Sequence, residues 1–109
     1  MELRVLRYFL MVAREENITK AAQLLHVTQP TLSRQLQQLE QELGVTLFRR
    51  GKYNISLTED GMLLKRRAQE LVALSDRTMQ ELTNREQDIS GEISIGCGET
   101  RNMTLLAEQ

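Results

Sequence analysis

The amino-terminal part of the chain repeats apolar residues at the spacing of α-helices. The run LRVLRYFL begins this pattern and predicts a first helix over roughly residues 2–15. Its apolar residues form two stripes, and a helix with two apolar sides usually packs against two partners. The segment KAAQLLH predicts a shorter second helix from Lys20 to about His26, with Thr19 as its N-cap.

A third helix is predicted in the run TQPTLSRQLQQLEQELG. Thr28 is a suitable N-cap, and Pro30 stands in the first turn, where a missing N–H costs little. Gly44 readily adopts the left-handed conformation that ends many helices. The helix is therefore expected to have about fifteen residues and one apolar side. That side consists of Leu32, Leu36, Leu39 and Leu43.

The pattern changes between Val45 and Thr58. Two short β-prone pieces, around Leu47–Arg49 and Asn54–Leu57, flank a turn that contains Gly51. This segment predicts a small hairpin with a basic tip. The cations of the tip are Arg49, Arg50 and Lys52.

A long helix is predicted from its N-cap, Thr58, to about Asp88. Glu59 and Asp60 in its first turn suit the positive end of the helix dipole. Apolar and small residues then recur at alternating gaps of four and three, which predicts a heptad seam for self-association. The residues of the seam are Leu64, Ala68, Leu71, Ser75, Thr78 and Leu82, and Val72 and Met79 widen it. The simpler alternative is a helix packed on its own domain.

Another element is expected in the run SGEISIGCGET, which begins at Ser90. Alternation of Ile93 and Ile95 predicts a strand. We therefore divide the chain into three parts: residues 1–58, residues 59–89 and residues 90–109.

Composition makes the chain a globular protein, because 40 % of its 109 residues are hydrophobic and 27 % are charged. No apolar run approaches the ~20 residues of a membrane span, and the start lacks the pattern of a signal peptide. We therefore expect a cytoplasmic protein with no membrane partner. Residues 1–58 carry eight basic and five acidic side chains, net +3, whereas residues 59–109 carry six and ten, net −4. The front half could lie on a polyanion, unless the division of charge is accidental.

Candidate catalytic and metal-binding chemistry is sparse. Cys97 is the only cysteine and His26 the only histidine, so an internal disulfide or a Cys/His metal cluster is excluded. We predict no enzyme, no metal and no cofactor for this chain. Cys97 fits a small buried residue better than a redox sensor or a nucleophile, since no base is near it in the sequence.

The polar side of the third helix is unusual because it is made of amides and one guanidinium. An ordinary solvated face would mix glutamate with lysine. Amides, guanidinium groups and hydroxyls instead suit base edges and phosphates. A short helix, a tight turn and a longer helix with such a face is the arrangement of a helix-turn-helix reader. A helix pair also occurs in many folds that bind no DNA. The polar face consists of Pro30, Arg34, Gln37, Gln38 and Gln41.

Four motifs together give a resemblance to a known family. They are AAQLL, TQPTLSRQLQQLE, LGVTLF and LTEDG, and over residues 1–61 the chain resembles the DNA-binding domain of LysR-type transcriptional regulators. The resemblance implies a mainly α, winged helix-turn-helix with a two-stranded wing, followed by a long dimerisation helix. GEISIG then resembles the first strand of a periplasmic-binding-protein-like effector domain. We therefore expect an amino-terminal piece of a longer regulator that senses a small molecule.

Site residues follow from the polar face together with the resemblance. On the recognition helix, the residues predicted to contact DNA are Gln29, Pro30, Thr31, Ser33, Arg34 and Gln37. Contacts to the DNA backbone are predicted from Thr19, Lys20, Thr28, Arg50, Lys52 and Tyr53. Thr100 would line the effector cleft. The family usually has a second wing arginine where this chain has Tyr53, so either Lys52 replaces it or Tyr53 itself stacks or hydrogen-bonds on the sugar-phosphate backbone.

The predicted function is a sequence-specific double-stranded DNA-binding transcription regulator in the bacterial cytoplasm, associated with the nucleoid. The resemblance implies a homodimer through the linker helix, or a tetramer at full length. The alternative from another class is a protein-interaction module, in which the long helix binds the partner and residues 1–58 only cap that helix. Dependence of binding on salt separates the two, because only a DNA binder neutralises phosphates.

Overall fold

The computed structural model describes the backbone of residues 1–92 and the side chains of residues 1–84. Within these residues, four helices and one two-stranded antiparallel sheet follow one another. They are α1 (Leu3–Glu15), α2 (Ile18–Leu25), α3 (Gln29–Leu43), β1 (Phe48–Arg50), β2 (Ile55–Leu57) and α4 (Glu59–Glu92). The predicted fold class, a mainly α winged helix-turn-helix with a two-stranded wing and a long carboxy-terminal helix, is confirmed. Residues 1–74 form one compact unit, and a second unit begins at Ser75.

The core of the first unit gathers apolar residues from α1, α2, α3 and the hairpin. Phe9 is fully buried, and its ring lies 5.3 Å from that of Phe48, so the first helix contacts the wing through an aromatic pair. Leu32, Leu36 and Leu39 are at most 4 % exposed. This burial holds α3 against the first two helices and leaves its polar side outward.

The start of α2 differs from the prediction. Asn17, not Thr19, is the N-cap, and its Oδ1 accepts a hydrogen bond of 2.9 Å from the backbone N–H of Lys20. Asparagine caps at least as well as threonine, and the earlier start lets half-buried Ile18 pack against the core. Thr19 consequently lies inside the first turn with an exposed side chain.

Both predicted ends of α3 are confirmed. Thr28 is the N-cap, with its hydroxyl accepting from the N–H of Thr31 at 3.3 Å, and Gly44 ends the helix at φ +72°. The predicted apolar side was wrong at one residue, since Leu43 is 38 % exposed. Leu43 stands in the last turn, next to the cap, and it is not part of the buried core cluster.

The wing pairs Phe48 with Leu57 and Arg50 with Ile55. Each strand begins one residue later than predicted. The turn is closed by a 2.7 Å hydrogen bond from the N–H of Gly51 to the carbonyl of Asn54. Two of the three cations assigned to the tip lie instead on β1, and one lies in the turn. The strand cations are Arg49 and Arg50, and the turn cation is Lys52.

Thr58 joins the wing to α4. Its backbone N–H donates to the carbonyl of Leu47, its hydroxyl donates to the carbonyl of Thr46, and its Oγ1 accepts from the N–H of Gly61 at 3.0 Å. The predicted N-cap is thus confirmed. Gly61 is buried, and a β-carbon there would collide with the carbonyl oxygen of Leu47. The long helix α4 therefore begins against the residues that lead into the first wing strand.

The far end of α4 extends to Glu92 rather than to about Asp88. The predicted strand around Ile93 and Ile95, and the predicted roles of Cys97 and Thr100, lie outside the described residues. Within the described part, none of the helices is long and apolar enough to cross a membrane.

Candidate nucleic-acid interface

The predicted recognition residues occupy the exposed part of the first half of α3. Pro30, Arg34 and Gln37 are exposed and lie opposite the buried leucines. Gln29 is exposed at the leading end, whereas the flanking side chains of Thr31 and Ser33 are half-buried. The helix therefore presents a guanidinium, two amides and two hydroxyls on the side opposite its buried leucines.

Hydrogen bonds order the leading end of this helix. The hydroxyl of Thr28 donates to Oγ1 of Thr31 at 2.8 Å. The hydroxyl of Thr19, on α2, donates to Oε1 of Gln29 at 3.0 Å. Four residues that are predicted to contact DNA are thus hydrogen-bonded in two pairs. The pair of Thr19 and Gln29 connects α2 to α3 on the exposed side.

Lys20 has an acidic neighbour that the sequence reasoning did not connect with the interface. Its ammonium lies 3.4 Å from a carboxylate oxygen of Glu15, whose other oxygen accepts from Nε of Arg14 at 2.8 Å. Hydrogen bonds from Arg14, and to a lesser extent from Lys20, lower the pKa of the Glu15 carboxyl. Glu15 thus keeps its charge and competes with a phosphate for Lys20. Glu15 precedes Lys20 by five residues across a helix break, so no helical spacing rule could have paired them.

The wing lies near the start of α2. An open groove between them is lined by Thr19 from α2 and by Arg50, Tyr53 and Asn54 from the hairpin. The ammonium of Lys52 lies 5.5 Å from the centre of the Tyr53 ring, which is within range of a cation–π interaction. Tyr53 is 87 % exposed. Lys52 and Tyr53, the two residues that could take the place of the family's second wing arginine, therefore lie side by side. Which of them contacts the DNA backbone stays a prediction.

Glu40 connects the recognition helix to the wing. Its Oε2 accepts hydrogen bonds from the N–H groups of Leu47, at 2.7 Å, and Phe48, at 3.4 Å. No role for Glu40 is predicted from the sequence. No local signal separates such a glutamate from a solvated one, because its partners lie in the following loop and strand.

The predicted dimerisation seam is divided by burial. Ala68 is 0 % exposed, and Leu64 packs against the core of its own head. Val72 and Ser75 are half-buried within the chain. The exposed apolar members are Leu71, Met79 and Leu82. Leu64 therefore packs on its own domain, as the simpler alternative predicted. The prediction of self-association now depends on the exposed residues Leu71, Met79 and Leu82.

Comparison with known proteins agrees with this geometry. The family model described as bacterial regulatory helix-turn-helix protein, lysR family, matches residues 3–62. The chain belongs to the lysR family. This lysR-family chain is 42 % identical over 97 residues to the HTH-type transcriptional regulator BsdA of Bacillus subtilis, covering 88 % of this chain and 33 % of BsdA. It is 44 % identical over 96 residues to BudR of Klebsiella aerogenes, covering 88 % and 67 % of the two chains.

Solved structures of lysR-family regulators match the same part of the chain. The BenM DBD in its complex with catB site 1 DNA is 45 % identical, with a TM-score of 0.72, covering 78 % of this chain and 93 % of that one. The CbnR DBD in a DNA complex is 38 % identical, with a TM-score of 0.75, covering 79 % and 99 %. The lysR-family chain thus has the fold of these DNA-binding domains, although it spans only about a third of the length of BsdA.

Proposed function

We propose that this lysR-family chain binds specific sequences in double-stranded DNA and thereby regulates transcription. The observation that carries the proposal is the exposed side of α3, where Arg34, Gln29 and Gln37 project from a helix whose leucines are buried. A helix supported in this way can enter the major groove without losing its own packing. The DNA complexes of the BenM and CbnR domains, which share this fold, support the same use.

The wing and α2 would supply contacts to the DNA backbone. Arg49 and Arg50 on β1 and Lys52 in the turn are exposed cations, and cations at the edge of a reader neutralise phosphates and fix its register on the duplex. Residues 1–58 carry a net charge of +3, which agrees with this role. We assign these cations to affinity rather than to sequence preference.

The working unit is proposed to be a homodimer. Exposed Leu71, Met79 and Leu82 on α4 would meet the same residues of a second copy, since heptad spacing brings such residues to one seam. Two recognition helices would then enter major grooves about 34 Å apart, one helical turn of DNA. At full length the regulator is proposed to form this dimer or a tetramer, to sense a small-molecule effector through a domain after residue 90, and to act without catalysis in the cytoplasm at the nucleoid.

Selection of bound duplexes from a random DNA pool tests the proposed function. We expect the 109-residue chain to enrich a roughly palindromic sequence. Its affinity for that sequence should fall with salt, with a slope of about −0.9 for each phosphate contact. Failure to enrich any sequence, together with affinity for a protein partner that survives high salt, would favour the interaction module instead.

A further inference from the structure

Thr19 makes a hydrogen bond that conflicts with its predicted contact to DNA. Its hydroxyl donates to Oε1 of Gln29 at 3.0 Å. A threonine hydroxyl has one proton, and a phosphate oxygen only accepts hydrogen bonds. While Thr19 holds Gln29 in this way, it cannot donate to a phosphate.

The same bond decides which arm of the Gln29 amide is held. The carbonyl oxygen is bound toward α2, and the two N–H donors of Nε2 lie on the other arm of the planar amide. Bidentate pairing with adenine needs both arms of the amide on the base edge, one accepting from N6 and one donating to N7. The oxygen keeps a second lone pair, but while it is directed toward Thr19 the Nε2 donors are the arm left for a base edge.

The hydrogen bond between the hydroxyl groups of Thr28 and Thr31 also leaves a donor available. Thr28 donates its proton to Oγ1 of Thr31 at 2.8 Å and accepts from the N–H of Thr31 at 3.3 Å. Thr31 accepts in the hydroxyl bond and keeps its own proton for another acceptor. Arg34, one turn further along, has only donors. The leading part of α3 is therefore biased toward hydrogen-bond donors.

We infer that Thr19 is a positioning residue that turns Gln29 into a donor, so that Gln29 selects guanine over adenine. In the major groove guanine presents two acceptors side by side, O6 and N7, whereas adenine presents the N7 acceptor beside the N6 donor. This inference rests on the proposed DNA-binding function and names the class of base that the site reads.

A double-mutant cycle tests the inference with the 109-residue chain. The preference is the ratio of affinities for the selected duplex and for its derivatives permuted at the base pair that Gln29→Ala affects. We expect the wild-type chain to favour a G·C pair over an A·T pair there by about fivefold or more. Thr19→Val should reduce this preference and raise the relative affinity for adenine, whereas Thr19→Ser, which retains the hydroxyl, should preserve it. In the Gln29→Ala background, Thr19→Val should change the preference no further.

Base analogues identify the acceptor when the selected base is guanine. Substitution by 7-deazaguanine removes N7 and should weaken binding, whereas inosine keeps both major-groove acceptors and should not. An A·T pair preferred by the wild-type chain, in either orientation, would overturn the inference. So would an equal loss from Thr19→Val on every duplex, with and without Gln29, because that result describes a direct phosphate contact. Absence of any sequence preference in the wild-type chain would instead refute the proposed function itself.

Discussion

Arg34 lies on the exposed side of α3, opposite the buried Leu32 and Leu36. A guanidinium in this position can make a bidentate contact with guanine. We expect Arg34→Ala to cost roughly 1–3 kcal/mol of binding free energy on the selected duplex and to relax the preference at one base pair. Affinities for all four variants of each base pair measure this. Equal losses on the selected and on random DNA would show that Arg34 contacts only phosphate.

Gly61 is required for packing rather than for a turn. A β-carbon there would collide with the carbonyl oxygen of Leu47 and would press against the Leu57 side chain. Alanine usually stabilises a helix relative to glycine, yet we expect Gly61→Ala to lower the free energy of unfolding by about 1–3 kcal/mol through overpacking. Urea unfolding measures the change. Gln69→Ala, at an exposed position of the same helix, is the control and should have little effect.

At the scale of elements, one carboxylate on α3 binds the start of the wing. Glu40 accepts from the N–H of Leu47, a residue that is almost fully buried. Glu40→Ala would leave this donor unsatisfied, so we expect a loss of about 1–3 kcal/mol in the free energy of unfolding. Glu40→Gln retains an acceptor oxygen and should recover much of that loss in urea unfolding. Equal destabilisation by the two variants would mean that the charge, not the hydrogen bond, is what matters.

The hairpin as an element is expected to set affinity rather than preference. Arg50→Ala or Lys52→Ala should each lower the magnitude of the salt slope of binding by about one unit, because each removes one phosphate contact. The ranking of DNA sequences should stay the same. Titrations at several salt concentrations measure the slope. Arg66→Ala, which removes an exposed cation of α4 outside the predicted interface, should leave it unchanged.

Element types could be predicted because each has a local cause. The apolar spacing of α3, Thr28 at its start and Gly44 at its end all lie within one short stretch. The start of α2 was missed because Asn17 and Thr19 are both good caps, and only the packing of Ile18 against the core separates them. Local residue preferences therefore predict the type of an element but not the residue at which it begins.

At the scale of the whole molecule, the exposed apolar residues of α4 predict self-association. Leu71 is 42 % exposed, on the side where heptad spacing places the seam. We expect Leu71→Arg to give a monomer in sedimentation experiments, because an interface cannot bury an unpaired guanidinium at low cost. Gln69→Arg, on the opposite side of the helix, is the matched control and should remain a dimer. A Leu71→Arg variant of unchanged mass would refute the seam.

The sequence alone determined the fold class, the order of the elements and the composition of the exposed side of α3. These properties depend on residue type and spacing within one element, and a known family motif covers the same stretch. Only the tertiary structure decided which residues act together: Thr19 with Gln29, Lys20 with Glu15, and Glu40 with Leu47 and Phe48. The reason is physical. Such contacts join different elements or loops, and their geometry exists only after the buried leucines have brought those elements together.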